Sequence, residues 1–378
     1  MTAYSWKPLD VVVLGGGLGG LAAAISMRRQ GHKVRIYERY DYAGEVGASL
    51  SCASNGGKWL HEWGVNARKA KPVILNKLIK RDWKTGKIVD YAISEEGEGT
   101  PCELICNHKA IEVDYKSGRV VFENGIETQA ELIIAADGIR SLTKPQLGIK
   151  PKFTRSSSGC IRVLFDTKTV NELNLTDFSN NDAIEFWGDT KYKVVLSPCS
   201  NNEVISCYCF YAAKGEDTKS DWSNDISLEE LLDNVSDLDP ALTELFSKCG
   251  YDIKQWRLTN GDGTKGVTLL GDSCHFSLPD QSQGAVQAFE DAGALGYIFS
   301  KKFNHTIEQG LQLYEAVRKP RVSKIQAASA RARENLNERI GWSSGAQDIE
   351  EDKKLTIEEV CGYDMKGHID LLANNNNH

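Results

Sequence analysis

No apolar run in this chain approaches the roughly 18 residues that a membrane-crossing helix needs. The first apolar stretch, Val11–Leu14, is too short for a signal-peptide core, and glycines interrupt it. Positive charge is not in excess: 45 Lys and Arg face 52 Asp and Glu, a net charge of −7. With a pI near 5.6, this argues against a nucleic-acid surface. Metal-ligand spacing is also missing. Cys207-x-Cys209 falls in a strand pattern, and no His or second Cys pair stands at ligand distance from it. There is no internal repeat. These absences leave the expectation of a cytoplasmic protein whose ten cysteines are reduced and buried. A length of 378 residues is too long for one small core and predicts two domains or an extended one.

What is present begins with Val11–Leu14 followed by Gly15-x-Gly17-x-x-Gly20 and the helix-forming Leu21–Ile25. The apolar run reads as a buried parallel strand. Gly15 allows the tight strand-to-helix turn, Gly17 lets backbone approach a pyrophosphate, and Gly20 lets helix and strand pack closely. The helix N-terminus offers free N–H groups to phosphates. A second strand, Lys33–Tyr37, ends at Glu38, an acid placed to accept hydrogen bonds from ribose hydroxyls. This unit serves FAD and NAD alike. Two later segments repeat the pattern of a strand running into an acid–glycine turn: Glu131–Ala136 into Asp137-Gly138, and Gly266–Leu270 into Gly271-Asp272. Such turns recur where the carboxyl edge of a sheet meets a ligand.

The three segments, in this order, resemble the flavin-dependent aromatic hydroxylases, the group A monooxygenases that include salicylate hydroxylase and fungal secondary-metabolite enzymes. The resemblance runs from about residue 9 to about residue 330. It implies FAD as cofactor, NADH or NADPH as co-substrate, and O2. It assigns Gly15, Gly17 and Gly20 to the ADP-binding motif, and Asp137 and Gly138 to the motif for FAD and NAD(P)H. Gly271 and Asp272, with Pro279, Gln283, Gly284 and Ala285, would meet the ribityl chain and flavin ring. Glu38 would lie on the adenosine ribose, and Arg39 beside it at the adenosine or the surface. The implied reaction passes one oxygen atom from a flavin C4a-hydroperoxide to an electron-rich ring. No protein nucleophile or metal is needed for it. His275, three residues past Asp272, is a candidate near the flavin, although a His here is routine scaffolding in the family.

The expected fold is α/β, α+β overall. Residues 1–150 are expected to hold the first part of a Rossmann-like FAD domain. Residues 151–258 read as an antiparallel substrate sheet, with strands near Ser158–Phe165, Asp182–Trp187, Tyr192–Leu196 and Glu203–Tyr211. Residues 259–340 return to the FAD domain with long helices from Gly284 and Thr306. Residues 341–378 read as an acidic tail with a disordered end. In the family the antiparallel sheet roofs the substrate pocket. Arg162 stands there opposite in face to Ile161 and Val163. It either points into the pocket, where it would hold a phenolate or polar carbonyl, or pairs with an acid at the surface. Trp187, Tyr208 and Phe210 are lining candidates or plain core.

One departure from the family stands out. The segment ending His108-Lys109 runs straight into Ala110–Val113, where family members carry a further helix and strand. A parallel crossover needs a dozen or more residues, and losing a core helix would exceed a typical net stability of about 5–15 kcal/mol. That favours residues missing at Lys109–Ala110 and near Asp262–Gly263 over a truly shortened chain. It predicts a Cα separation at Lys109–Ala110 well beyond the about 3.8 Å of a trans peptide. The expected partner is a small aromatic or heteroaromatic substrate, with no nucleic acid, no membrane span, and a monomer or homodimer. Epoxidation of an indole-like ring, and a non-oxygenating flavin or NAD oxidoreductase, remain as alternatives. A halogenase is disfavoured because Trp187 and Trp256 lack the Trp-x-Trp-x-Ile-Pro motif.

Overall fold

The computed structural model describes residues 6–41, 49–65, 73, 77–82, 88–90, 104–114, 116–149, 153–172, 183–188, 193–212, 224–225, 227–234, 238–261, 269–335, 338–339 and 355–375. In chain order the first strands are β1 (Asp10–Leu14), β2 (Lys33–Tyr37), β3 (Lys77–Asp82), β4 (Ile88–Asp90), β5 (Leu104–Ile105), β6 (Ala110–Asp114), β7 (Arg119–Phe122), β8 (Glu127–Gln129) and β9 (Leu132–Ala135). They are followed by β10 (Phe153–Asp166), β11 (Ala183–Gly188), β12 (Lys193–Cys199), β13 (Val204–Ala212), β14 (Asn224–Asp225) and β15 (Gly250–Gly261). Among the helices are α1 (Leu18–Arg29), α2 (Ser54–Glu62), α3 (Pro240–Cys249), α4 (Gly284–Ile298), α5 (Ile307–Glu334), α6 (Ile357–Cys361) and α7 (Met365–Asn375).

Strand β1 is apolar because both its faces are covered. It sits inside a parallel sheet of order β5-β2-β1-β9, and Ala135 bridges onward to Leu269. Small residues make the helical layer close. The run Ala22–Ala24 of α1 is buried against the sheet, and a Cβ on Gly296 of α4 would lie 2.2 Å from Ser26 Oγ of α1. The four strand ends and Leu269–Leu270 all deliver their following turns to one carboxyl edge, where open α/β sheets bind ligands.

At Lys109–Ala110 the structure corrects the expectation of a break. Lys109 O accepts from Glu123 N at 2.8 Å, and Ala110 pairs with Phe122 across β7. The two residues therefore lie side by side against neighbouring residues. No crossover is required, because β6 never returns to the parallel sheet. It joins β7 and β8 in an antiparallel sheet that packs Val113, Val120 and Phe122 against Val12 and Leu14. Strand β9 pairs directly with β1, so the strand into Asp137 keeps its neighbour. The Asp262–Gly263 join lies outside the described residues.

The second sheet has the order β14-β15-β10-β13-β12-β11-β3-β4. It is mixed rather than purely antiparallel: β3 joins β11 in parallel. Its strands therefore come from before residue 150 as well as after it. One face carries Ile161, Val163, Phe165, Trp187, Val194 and Leu196 packed on Leu242, Leu245 and Phe246 of α3. Each such fully buried side chain contributes roughly 1.5–3 kcal/mol. Trp187 belongs to this face and not to the ligand side. Alternation sends Cys160, Arg162, Phe186, Lys193, Val195, Tyr208 and Phe210 to the other face.

The stretch after residue 354, read as part of an acidic tail, folds as helices. Met365, Ile369 and Ala373 are buried against α4 and α5, and the helix continues to Asn375. Its apolar residues recur three to four apart, but too few per turn to stand out in a polar segment. No described helix is long and apolar enough to cross a membrane. Among the described residues, eight cysteines, Cys160, Cys207 and Cys209 included, are free thiols.

Candidate active site

Two cavities meet at Ser49 and Leu50, which line both. The first, about 700 Å³, opens at the carboxyl edge of the parallel sheet. Gly15, Gly17, Glu38, Arg39, Asp137 and Gly138 line it, as do His108, Lys109 and Arg140. Gly15 has φ +105, and a Cβ there would stand 2.4 Å from Ala136 O. Its N–H donates to Tyr37 O at 2.8 Å. Gly20 does not reach the cavity. It lies in α1, where a Cβ would come within 1.9 Å of Gly15 O, so its absence of side chain is what lets the turn close. The Glu38 carboxylate is buried. Its Oε2 accepts from Gly16 N at 2.7 Å and its Oε1 from Tyr40 N at 3.0 Å. Each oxygen retains a lone pair for a further donor. Asp137 Oδ2 accepts from Leu142 N, Thr143 N and Thr143 Oγ1, starting the helical turn Thr143–Gln146. Asp137 Oδ1 is buried with no partner among the described residues. A buried acceptor of that kind calls for a donor.

The second cavity, about 390 Å³, lies under the mixed sheet. Register sets its roof. Phe186, Val195, Tyr208 and Arg162 stand opposite one another in one row, and Lys193, Phe210 and Cys160 in the next. Arg162 is thus on the cavity side, 2% exposed. Its floor includes Asp272, Pro279, Asp280, Gly284 and Ala285. Asp272 is exposed and follows Gly271, whose φ of +64 favours glycine.

Gly271, His275 and Gln283 line neither cavity, but all three are tied into the floor. Asp291 Oδ2 accepts from Gly271 N at 3.0 Å and pairs with His275 Nε2 at 2.6 Å. Its Oδ1 accepts from Arg318 Nε at 2.8 Å. Burial alone would raise the Asp291 carboxyl, yet His275 and Arg318 beside it reverse this and hold it well below the usual carboxylate range. Gln283 Oε1 accepts from Asn55 Nδ2 at 3.0 Å, and the same Asn55 amide donates to Glu290 Oε1 at 2.7 Å. Glu290 in turn takes Arg318 and Arg321. His275 therefore acts through Asp291 on the turn that carries Asp272.

Sequence reasoning missed Lys193 and Arg339 at the second cavity, Arg333 behind them on Asp280, and the Asn55–Glu290–Arg318–Asp291 network. Lys193 had a readable signal, a cation in the alternating pattern Lys193-x-Val195-x-Ser197. The arginines sit on a long charged helix and just after it, where spacing alone cannot separate a site face from a solvated one. No group of three or more His, Cys, Asp or Glu able to hold a metal occurs among the described residues.

A glycine-turn dinucleotide site opening onto a roofed second cavity is the plan of a flavoprotein that acts on a separate small molecule. The chain matches the FAD binding domain family over residues 109–329, more than half its length, and belongs to that family. Residues 9–177 also match the pyridine nucleotide-disulphide oxidoreductase family. It is an FAD-dependent monooxygenase of the aromatic hydroxylase type. It is 26% identical over 370 residues to the FAD-dependent monooxygenase ntnJ of Nectria sp, covering 90% of this chain and 88% of that one. It is 27% identical over 408 residues to hispidin-3-hydroxylase of Neonothopanus nambi, with 95% and 94% covered. With 6-hydroxynicotinate 3-monooxygenase of Pseudomonas fluorescens it shares 26% over 354 residues, covering 84% and 90%. Among solved structures it has the fold of CtdE in complex with FAD and substrate (TM-score 0.82, 19% identity, 97% and 98% covered). It also has that of a salicylate hydroxylase substrate complex (0.75, 20%, 96% and 98%).

Proposed function

We propose that this monooxygenase uses NADH or NADPH and O2 to insert one oxygen atom into an aromatic or electron-rich heteroaromatic small molecule held in the second cavity. The observation that carries this reading is the meeting of the two cavities at Ser49 and Leu50. It gives a cofactor in the first a route to a substrate in the second. The residues present fit FAD: the Gly15–Gly17 turn leaves room for a pyrophosphate, and Asp137 Oδ1 lacks a donor among the described residues. Glu38 and Arg39 would hold the adenosine end, Asp137 and Gly138 the middle, and Asp272 the ribityl hydroxyls. Pro279 and the start of α4, with Gly284 and Ala285, would border the ring. FAD, when bound, supplies the electron transfer and the activation of O2.

The chain's own residues do the rest. The N-terminal N–H groups of α4 at Gly284 and Ala285 present positive dipole to the cavity floor and stabilise negative charge there. Phe186, Val195 and Phe210 form an apolar ceiling that excludes water. Arg162 and Tyr208, opposite one another on β10 and β13, orient a polar oxygen of the ring by hydrogen bonding. Hispidin-3-hydroxylase and 6-hydroxynicotinate 3-monooxygenase are named for ring hydroxylation, which supports a hydroxylated or heteroaromatic ring as substrate. The test is a substrate panel with purified protein, NADH or NADPH, and isotopically labelled O2. Substrate-stimulated consumption of the nicotinamide, with one labelled oxygen in the product by mass spectrometry, is expected. Consumption with unlabelled product throughout the panel would overturn the reading.

A further inference from the structure

Cations outnumber carboxylates on one side of the second cavity. Lys193 Nζ donates to Asp280 Oδ1 at 2.7 Å. Arg333 donates to the same oxygen through Nε at 3.1 Å and through a terminal nitrogen, and its guanidinium lies 4.3 Å from the centre of the Phe210 ring. Among the described residues, Arg339 has no carboxylate oxygen of its own. It donates to the Asp280 carbonyl at 2.9 Å and to Ser282 Oγ at 3.1 Å, over the Phe186 ring at 4.2 Å. Among the described residues, Lys193 and Arg333 share the Asp280 carboxylate while Arg339 meets only its carbonyl, three cations beside one carboxylate, which leaves two positive charges in excess.

The surroundings are dry. The side chains of Asp280 and Arg333 are 1% and 3% exposed, and that of Lys193 is 11% exposed. Burial pushes Lys193 down, with Asp280 opposing it. It pushes Arg339 down to about 10 against the same carboxylate. An unneutralised charge held away from water is costly, and a counter-ion relieves that cost. Lys193 and Arg339 both line the cavity, so an anion inside it meets them directly.

We propose that Lys193 and Arg339 form an anion subsite, and that the aromatic substrate is held there by an anionic group, a carboxylate or an ionised hydroxyl. The subsite lies two strands from Arg162 in the order β10-β13-β12, about 10 Å across the sheet. A substituted ring can span that distance, its anionic group on Lys193 and a second polar oxygen on Arg162. This rests on the reading that FAD fills the first cavity with its ring reaching the floor of the second, where the substrate sits above it.

The test is equilibrium dialysis of the full FAD-loaded chain against benzoate, 4-nitrophenolate and benzamide. At least one anion is expected to bind tenfold or more tighter than benzamide, and the better anion identifies the group as carboxylate or ionised hydroxyl. Lys193→Met and Arg339→Gln should each weaken that anion roughly ten- to a hundredfold and leave benzamide unchanged. Asp280→Asn removes the competing carboxylate and should tighten it. Neither anion exceeding benzamide, including no binding at all, overturns the proposal. So does anion affinity that is unchanged in both cation variants, or weakened in Asp280→Asn with the flavin spectrum intact. Should Lys193→Met fail to fold, the anion-to-benzamide ratio of the unaltered protein and the Asp280→Asn result still decide. Protein lacking a flavin spectrum, or showing no substrate-stimulated NADH or NADPH oxidation, fails the underlying reading instead, and both are measured before dialysis.

Discussion

Gly17 and Gly20 stand in one motif, yet the structure gives them different physical duties. A Cβ at Gly20 would press to 1.9 Å from Gly15 O, whereas a Cβ at Gly17 would meet nothing within 4 Å. Gly17 also has an ordinary φ of −70. Gly20→Ala should therefore force the turn and α1 apart, a backbone overpacking that costs about 1–3 kcal/mol with or without cofactor. Gly17→Ala should leave flavin-free protein as stable as the parent and weaken only FAD binding, because its Cβ occupies the pyrophosphate's approach. Urea midpoints of both flavin-free variants, set beside FAD affinities, check this. An unstable Gly17→Ala apoprotein would refute the division. Asp272→Ala should release FAD on gel filtration, since its exposed carboxylate has the ribityl chain as its expected partner, and stoichiometric flavin in that variant would remove the assignment.

The seam between α4 and α5 is an ionic element built on Asp291, Glu290, Arg318 and Arg321. Burial would raise both carboxyls, but the adjacent arginines, with His275 at Asp291, hold them below the ordinary range. A carboxyl whose folded value is depressed contributes stability that is complete above its unfolded value near 4. That contribution is lost as pH falls through the folded value. Unfolding free energy should thus stay level in this respect from neutrality to about pH 5 and fall below about pH 4. Asp291→Asn should cost about 3–5 kcal/mol at neutral pH, because it strands buried Arg318 and His275, and should then lose less on acidification. Urea unfolding across pH, for parent and variant, tests both signs. An unshifted neutral midpoint would rule the network out as a stabilising element. How far the elements could be read from sequence follows from where their determinants lie. β1, Gly15–Gly20 and β2 were legible because their pattern is local. β10 to β13 were legible through alternation, with ends off by a few residues. The helical pattern of Ser227–Leu245 is met by two helices, Leu228–Asn234 and α3. The recruitment of β3 to the roof was not legible, since it depends on pairing with a strand a hundred residues later. Nor was the Lys109–Ala110 join, because a missing crossover looks like a broken sheet until β6 is seen to leave it.

At the scale of the whole molecule, two cores face each other across the cavities. One surrounds β1 with α1, α4, α5 and α7, and the other lies between the roof sheet and α3. Among the described residues, apolar packing from roof to floor is a small patch, with Cys160 and Phe210 meeting Leu278. The Lys193–Asp280 ion pair lies beside it. A weak apolar joint of this kind leaves each half to unfold with its own core unless something binds across it. FAD in the first cavity would do so, because Ser49 and Leu50 border both cavities. Saturating a site at a hundredfold excess over Kd stabilises the folded state by about 2.7 kcal/mol. FAD-loaded protein should therefore melt in one transition, and flavin-free protein at lower temperature in two. Tryptophan fluorescence can report on both cores, since Trp59 and Trp63 lie in the first and Trp187 in the second. Replacing Trp187 with Phe should weaken the signal of that transition, Trp256 of β15 remaining in the same sheet, and leave the other unchanged. A single coincident transition in flavin-free protein, at the midpoint of the loaded form, would mean that the two cores are already one cooperative unit. The cofactor would then fill its cavity without joining the halves.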